Sequence, residues 1–276
     1  MDQILILLFF YFLILYSIMG YGRIFTLINS NYQASSFDSL LGLAILIFIS
    51  YLTNIFFPHN YLHNSIIILL GLIVFIYDFR QNFFKRRKEI KDLTIIFSII
   101  FMGLLMYKNH DDFFYYHFPY TIILTEFEKV FGLGNLNHGF RTPSSIFYLN
   151  SLFYLPGIKY FFLNSGAVYI FGFSNFILYN VIRDQLIKKD FSHILFLSIL
   201  SLLYINTSFP RLSEHGTDRS ALILIFLMSI FYLKSLNYEK KKLDQKYFTN
   251  YYTKLVILFA IIISLKAFYI IYSIIF

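Results

Sequence analysis

The chain has 276 residues, of which 58% are hydrophobic and only 14% are charged. A soluble domain carries roughly a quarter charged residues, so this composition excludes an ordinary soluble protein and favours a membrane protein with several spans. The absence of cysteine excludes disulfides and thiolate metal sites. The formal net charge of +8 does not by itself indicate nucleic-acid binding, because the basic residues of a membrane protein first report its orientation.

The apolar segments predict an all-α polytopic membrane protein with about eight spanning helices, since a span requires about 20 mainly apolar residues. The first segment has neither a basic start nor a small-residue cleavage site, so we expect a retained helix rather than a removed signal peptide. The predicted spans centre on residues 3–20, 40–57, 65–79, 93–107, 160–181, 192–208, 219–236 and 255–276.

The positions of lysine and arginine predict the orientation of these helices. If eight spans alternate, sixteen of the 23 basic residues fall on one side, at Arg23 and within 80–91, 183–189 and 234–254. Loops rich in lysine and arginine stay in the cytoplasm. The N-terminus and the segments 108–159 and 207–219 are therefore predicted to lie outside the cytoplasm.

The first outer segment opens, directly after the fourth predicted span, with NHDDFFYYHFPY at residues 109–120. Ionisable residues at the edge of a bilayer are costly and usually functional. If this segment is helical, Asp112 is the i,i+4 partner of Tyr116, and Asp111 that of Tyr115. Adjacent helical residues point about 100° apart, so one acid would face a cavity while the other caps a helix N-terminus or orients a neighbour.

Two amphipathic pieces are predicted in the rest of this outer segment. The stretch 120–134 has apolar residues at helical spacing, so Thr121 or Thr125 would cap a helix and the glycines of FGLG would end it. The stretch SIFYLNSLFYLPG at 145–157 is rich in aromatic residues and stops at its Pro-Gly pair. Both pieces are expected to lie in the membrane interface.

A second polar cluster is predicted on the same side, in the loop NTSFPRLSEHGTDRSA after the sixth span. Arginine holds phosphate in a bidentate grip, so the two arginines of this loop and Arg141 are candidate phosphate ligands. A helix N-terminus near Ser220 would add a favourable dipole for an anion; alternatively, Thr217 or Asp218 only caps that helix. Both acidic clusters are expected to face one water-filled pocket. The candidates in this loop are Arg211, Glu214, His215, Asp218 and Arg219.

These features together resemble the GT-C superfamily of integral-membrane glycosyltransferases. An outer loop that opens on acids, here D-D-x-x-Y-Y-H-x-P-Y from Asp111 to Tyr120, is followed by aromatic interfacial helices. The later S-E-H-G-T-D-R-S at 213–220 resembles the second polar outer loop of related bacterial membrane proteins. The resemblance covers about residues 93–236. It implies a location in the bacterial inner (plasma) membrane.

The predicted organisation follows from this resemblance. Residues 1–92 would form an N-terminal three-helix membrane segment with a basic cytoplasmic loop. Residues 93–276 would form a GT-C-like core with its outer loop at 108–159. The resemblance implies that the chain moves a sugar from a polyprenyl-phosphate donor to an extracytoplasmic acceptor, so its partners would be that lipid-linked sugar and the bilayer, with no nucleic acid.

The resemblance also implies roles for individual residues. Asp112 would be the catalytic base, with Asp111 orienting it. Three arginines would bind phosphate and four other side chains would line the cavity; these residues are Arg141, Arg211, Arg219, His117, Glu214, His215 and Asp218. If Mg²⁺ or Mn²⁺ is a cofactor, its expected ligands are Asp111, Asp112 and His117.

Two features depart from the family pattern. Three spans precede the region of resemblance, whereas the usual acidic loop of the family follows the first span. The chain is also short for this class and ends on an apolar span. The alternatives are therefore a non-enzymatic membrane protein such as a transporter, and an inactive or fragmentary homologue.

Overall fold

A computed structural model describes residues 2–28, 35–105, 111–208, 216–240 and 245–275 of the chain. Over these ranges the protein is all-helical, as predicted, and has no β-strand. In chain order, the α-helices of the described residues are α1 (Asp2–Ile28), α2 (Asp38–Asn54), α3 (Tyr61–Gln81), α4 (Phe83–Leu104), α5 (Phe118–Glu126), α6 (Ser145–Ser151), α7 (Gly166–Ile187), α8 (His193–Ser208), α9 (Thr217–Lys240) and α10 (Gln245–Leu265).

All helices except the short α5 and α6 overlap one predicted span each. Within the described ranges, three of them are long and apolar enough to cross a membrane, namely α1, α3 and α9. Helices α2 and α8 and the second part of α10 are also apolar but shorter. Membrane association is therefore consistent with the fold, and the full set of eight spans remains a prediction.

Small residues allow the first three helices to approach each other closely. A methyl group added at Gly20 of α1 would overlap the backbone carbonyl of Gly71 in α3. One added at Gly42 of α2 would overlap the carbonyl of Ile18. Such backbone contacts through small residues are typical of helices that pack in membranes, where lipid removes the hydrophobic drive between helices.

One end of the bundle carries a buried ionic cluster. The guanidinium of Arg23, which is 1% exposed, lies 2.6 Å from carboxylate oxygens of both Asp38 and Glu89. Arg86 lies 3.2 Å from Asp78. These five side chains join the end of α1, the start of α2, the end of α3 and the start of α4, which must therefore run alternately up and down. We call this end, which also carries the pair of Arg183 and Asp92, the basic end.

The structure corrects two predictions at the basic end. Arg23 and Arg86 were predicted to be loop charges, yet they are largely buried because carboxylates from neighbouring helices surround them. The fourth span was predicted to centre on residues 93–107, yet the helix that contains most of it, α4, already begins at Phe83. Most of the basic residues of 80–91 therefore lie on the first turns of a helix rather than on a loop.

Residues 111–165 pack at the opposite end, against the corner between α2 and α3. The backbone N–H of His59 donates to the carbonyl of Leu124 at 2.8 Å, and the His59 ring lies 2.6 Å from Ser151 Oγ. The side-chain amide of Asn64 donates to the carbonyl of Ser151 at 2.8 Å. These hydrogen bonds fix the first outer segment onto the bundle.

Both predicted interfacial pieces differ from expectation. The first helix ends at Glu126, well before the predicted glycines, because Asn54 of α2 donates to the carbonyl of Phe127 and accepts from the N–H of Lys129. Thr121 does not cap it, since its hydroxyl donates to the carbonyl of His117. The second piece, α6, is entirely buried rather than interfacial.

The last two corrections concern span limits. The fifth span was predicted from residue 160, but the chain forms turns until α7 begins at Gly166. The last was predicted to run through 255–276, but α10 ends at Leu265 and a 3₁₀-helix follows at Ala267–Ile275. The cause of this break is visible in the contacts around Lys266, which belong to the candidate site.

Candidate functional site

The end opposite the basic end contains a large cavity of about 720 Å³. This volume lies within the range of small-molecule sites, roughly 300–1,000 Å³. Its walls come from the segment before α5, the turns before α6, the start of α9 and the break after α10. The lining residues are Tyr115, Tyr116, His138, Gly139, Arg141, Thr142, Pro143, Ser144, Phe147, Thr217 and residues 263–268.

A second cavity of about 30 Å³ adjoins the first. The two share Tyr116 and Thr217 as wall residues. A site needs about 10–15 Å³ of such volume to hold one water molecule, so this cavity admits about one or two. Its lining residues are Asp112, Tyr116, His117, Gly216, Thr217, Asp218 and Arg219.

The acidic start of the outer segment is shaped by a π-helical turn at Phe113–His117. Such turns are rare and frequently occur at functional sites. The predicted i,i+4 pair is confirmed, since the Tyr116 hydroxyl donates to Asp112 Oδ2 at 3.3 Å. Asp112 makes no capping hydrogen bond to this turn, and its side chain lines the small cavity beside Tyr116.

Tyr116 is held in place from several sides. Its ring lies against His117, with centroids 4.4 Å apart, and against Gly139, where an added Cβ would overlap the ring. Burial, followed by the nearby charge of Asp112 and then of Asp218, raises the pKa of Tyr116 to about 12. The phenol therefore stays protonated at neutral pH and remains a hydrogen-bond donor to Asp112.

The start of α9 brings the second polar cluster against the first. A Cβ added at Gly216 would lie 3.2 Å from the His117 ring, so the two segments are in contact. Asp218 stands in the first turn of α9, where a negative charge is favourable. Asp112 and Asp218, which were predicted to face a common pocket, line the same small cavity.

Lys266 also belongs to this site, although the sequence analysis did not include it among the candidate residues. The chain leaves the α-helix here because the Leu265 carbonyl accepts a hydrogen bond from Ser144 Oγ at 2.7 Å, while Ser145 and Ser264 hydroxyls pair at 2.9 Å. The Lys266 ammonium lies 3.1 Å from Asp218 Oδ1. Lys266 also lines the large cavity.

The other sequence candidates are distributed as follows. His117 and Arg219 line the small cavity, and Arg141 lines the large one with its Nε 3.5 Å from the Gly134 carbonyl. Asp111 is exposed and lines neither cavity. Three further candidates lie outside the described residues: Arg211, Glu214 and His215.

The residues present do not form a metal site in the part of the chain that is described. No group of three imidazole, thiol or carboxylate side chains comes close enough there to hold an ion. Of the expected ligands, Asp112 and His117 line one cavity, but Asp111 is not among its wall residues.

The fold and these cavities define an all-helical protein with membrane-type helices and a two-chambered site at one end. The chain belongs to the family described as Domain of unknown function (DUF8201), whose model matches residues 4–276. No curated protein and no solved structure matches the chain.

Proposed function

We propose that this protein is a membrane glycosyltransferase that moves a sugar from a polyprenyl-phosphate donor to an extracytoplasmic acceptor. One observation carries the proposal: a large cavity whose wall holds two cations, Arg141 and Lys266, adjoins a small cavity whose wall holds two carboxylates, Asp112 and Asp218, together with Arg219. Sugar transfer from a phosphate requires positive charge on the leaving group and a base at the acceptor. The GT-C-like motif at Asp111–Tyr120 supports the same assignment.

The proposed orientation places the basic end in the cytoplasm and the two cavities outside, in a bacterial inner membrane. Two features support it. Most lysines and arginines lie toward the basic end or on the segments that adjoin it. The helices alternate in direction, so the starts of α5 and α9 reach the same face, as an outer active site requires.

The proposed reaction uses groups in both cavities. The acceptor hydroxyl oxygen attacks the anomeric carbon of the sugar, and the bond from that carbon to the donor phosphate oxygen breaks. Asp112 receives the hydroxyl proton, with Tyr116 holding its second oxygen. The polyprenyl phosphate departs with the bonding electron pair, and Arg141 and Lys266 offset its charge.

A transporter is the second candidate, and one observation favours it. The helical path of the last apolar stretch is broken beside a cavity, which is typical of transporter helices that bind a substrate. However, transporters place their ionisable residues near the middle of the membrane, whereas Asp112, Asp218 and Lys266 cluster at one end of the bundle. The glycosyltransferase therefore accounts for more of the site.

The test is a transfer assay on the reconstituted protein with a panel of polyprenyl-phosphate sugars. Asp112→Asn is expected to lower the transfer rate by about 10²- to 10⁴-fold, the usual contribution of a general base. Glu128→Gln is the matched control, because Glu128 is an exposed acid of the same outer segment that lines neither cavity. Full transfer by Asp112→Asn would refute Asp112 as the base, and ion-coupled uptake without transfer would support the transporter.

A further inference from the structure

The helix break at Lys266 is a built feature rather than a frayed end. The Lys266 N–H still donates to the Ile262 carbonyl at 3.0 Å, which completes α10, and its carbonyl accepts from Tyr269 N–H at 3.1 Å, which starts the 3₁₀-helix. Ser144 and Ser145 of the α6 start hold the last turn of α10 through two hydroxyl contacts. Lys266 is thus presented at a fixed point on the wall of the large cavity.

The ion pair of Lys266 crosses the wall between the two cavities. Of these two cavities, Lys266 lines the large one and its partner Asp218 lines the small one. Both side chains are accessible, with 44% of Lys266 and 61% of Asp218 exposed. Exposed ion pairs contribute only about 0.2–1 kcal/mol, so a stronger anion in the large cavity can take Lys266 from Asp218.

The large cavity is suited to such an anion. Its described lining contains Arg141, Lys266 and His138 but neither aspartate nor glutamate. Phosphate makes charge-assisted hydrogen bonds with both kinds of cation, bidentate ones with arginine. Next to Lys266 the lining is apolar, with Ile263, Leu265 and Phe268.

The apolar surface continues away from the cavity. Phe268, Ile271 and Ile274 are strongly exposed, and residues three apart lie on one face of a 3₁₀-helix. An anion with an apolar chain would therefore find a charged head site at Lys266 and an apolar track leading from it. The ligand class that fits is the phosphate ester of a long apolar alcohol.

We propose that Lys266 is a positioning residue that exchanges partners: it pairs with Asp218 while the large cavity is empty and with the phosphate of the lipid when the cavity is filled. The inference rests on the proposed function for the identity of the lipid. The exchange leaves the Asp218 carboxylate without Lys266, in the same cavity as Asp112. Asp112 and Asp218 share that cavity with Arg219, so filling the large cavity changes the charge pairing in the small one.

The test is a double-mutant cycle on binding alone, with geranyl phosphate as the probe and calorimetry on the full chain in detergent. Lys266→Gln is expected to weaken binding about tenfold, as for the loss of a charged hydrogen bond, and Lys266→Arg to retain it. Asp218→Asn should tighten binding about two- to fivefold, the reverse of the exposed-pair contribution. In the Lys266→Gln background, Asp218→Asn should have no effect.

Three outcomes overturn the inference. Equal tightening by Asp218→Asn with and without Lys266 would show simple repulsion of the probe by the carboxylate, with no exchange. Unchanged binding by Lys266→Gln would remove Lys266 from the site. Equal binding of inorganic phosphate and geranyl phosphate would show a free-phosphate site without an apolar track. Geraniol, which has the same apolar chain but no charge, tests the contribution of the phosphate.

Thermal unfolding of each variant ensures that only folded protein is compared. Because neither sugar nor acceptor is present, the result does not depend on transfer. If the cycle behaves as expected while no sugar is transferred, the lipid-phosphate site stands and the proposed glycosyltransferase fails. If sugar is transferred but the four variants bind geranyl phosphate equally, the glycosyltransferase stands and the partner exchange of Lys266 fails.

Discussion

Removing the buried guanidinium of Arg23 is expected to destabilise the basic end of the bundle more than any other loss of a single charge there. In Arg23→Gln the fully buried carboxylate of Asp38 loses its 2.6 Å contact with the guanidinium, while the Ser35 N–H still lies 3.3 Å from it. Glu89 loses less, because it keeps Arg86 at 3.4 Å. Breaking a buried ion pair by removing one partner costs about 3–5 kcal/mol; since the loss falls mainly on Asp38, we expect about 3 kcal/mol.

The assay is reversible unfolding of the detergent-solubilised protein, followed by its helical signal. Arg183→Gln is the matched control, because the Arg183–Asp92 pair has a similar distance of 2.7 Å but its arginine is 28% exposed. That variant should lose about 0–1 kcal/mol. Arg23→Gln combined with Asp38→Asn should recover part of the lost stability, because the buried side chain at position 38 is then no longer charged. Equal stabilities for Arg23→Gln and Arg183→Gln would refute this reasoning.

Two further predictions concern single side chains. Burial, followed by the charge of His63, lowers the pKa of His59 to about 3, while the unfolded value is about 6.5. Stability should therefore fall as the pH drops from 6.5 toward 3, by up to about 1.4 kcal/mol per pH unit, and His59→Gln should lose this slope in unfolding measurements; an identical slope would contradict the assignment. Tyr116→Phe removes the hydroxyl that donates to Asp112 and should lower kcat/KM about fivefold, or about 1 kcal/mol; an unchanged kcat/KM would exclude the orienting role.

The long helices could be predicted because each one corresponds to an apolar stretch of the sequence. The residues at which some helices end could not be predicted, because side chains from distant parts of the chain form hydrogen bonds with the backbone there. Asn54 takes the backbone groups after α5, and Ser144 takes the last carbonyl of α10. These contacts join residues 73 and 121 positions apart, and no local pattern contains them.

The site divides in the same way. The contact of Asp112 with Tyr116 is a helical i,i+4 relation and was predicted from spacing alone. The meeting of Asp112 with Asp218 followed from alternating spans, which bring both loops to one face. Lys266 was missed as a site residue because it stands inside an apolar stretch of sequence. Its partner Asp218 lies 48 positions earlier, so no local pattern shows the ion pair. The buried state of Arg23 was missed for the same reason.

The large cavity draws its walls from four stretches of chain, and the latest of them is 263–268. During synthesis from the N-terminus, most of the bundle core is therefore translated before this chamber has its last wall. Any truncation before residue 263 would therefore remove Lys266 and the apolar residues beside it from the wall of the large cavity.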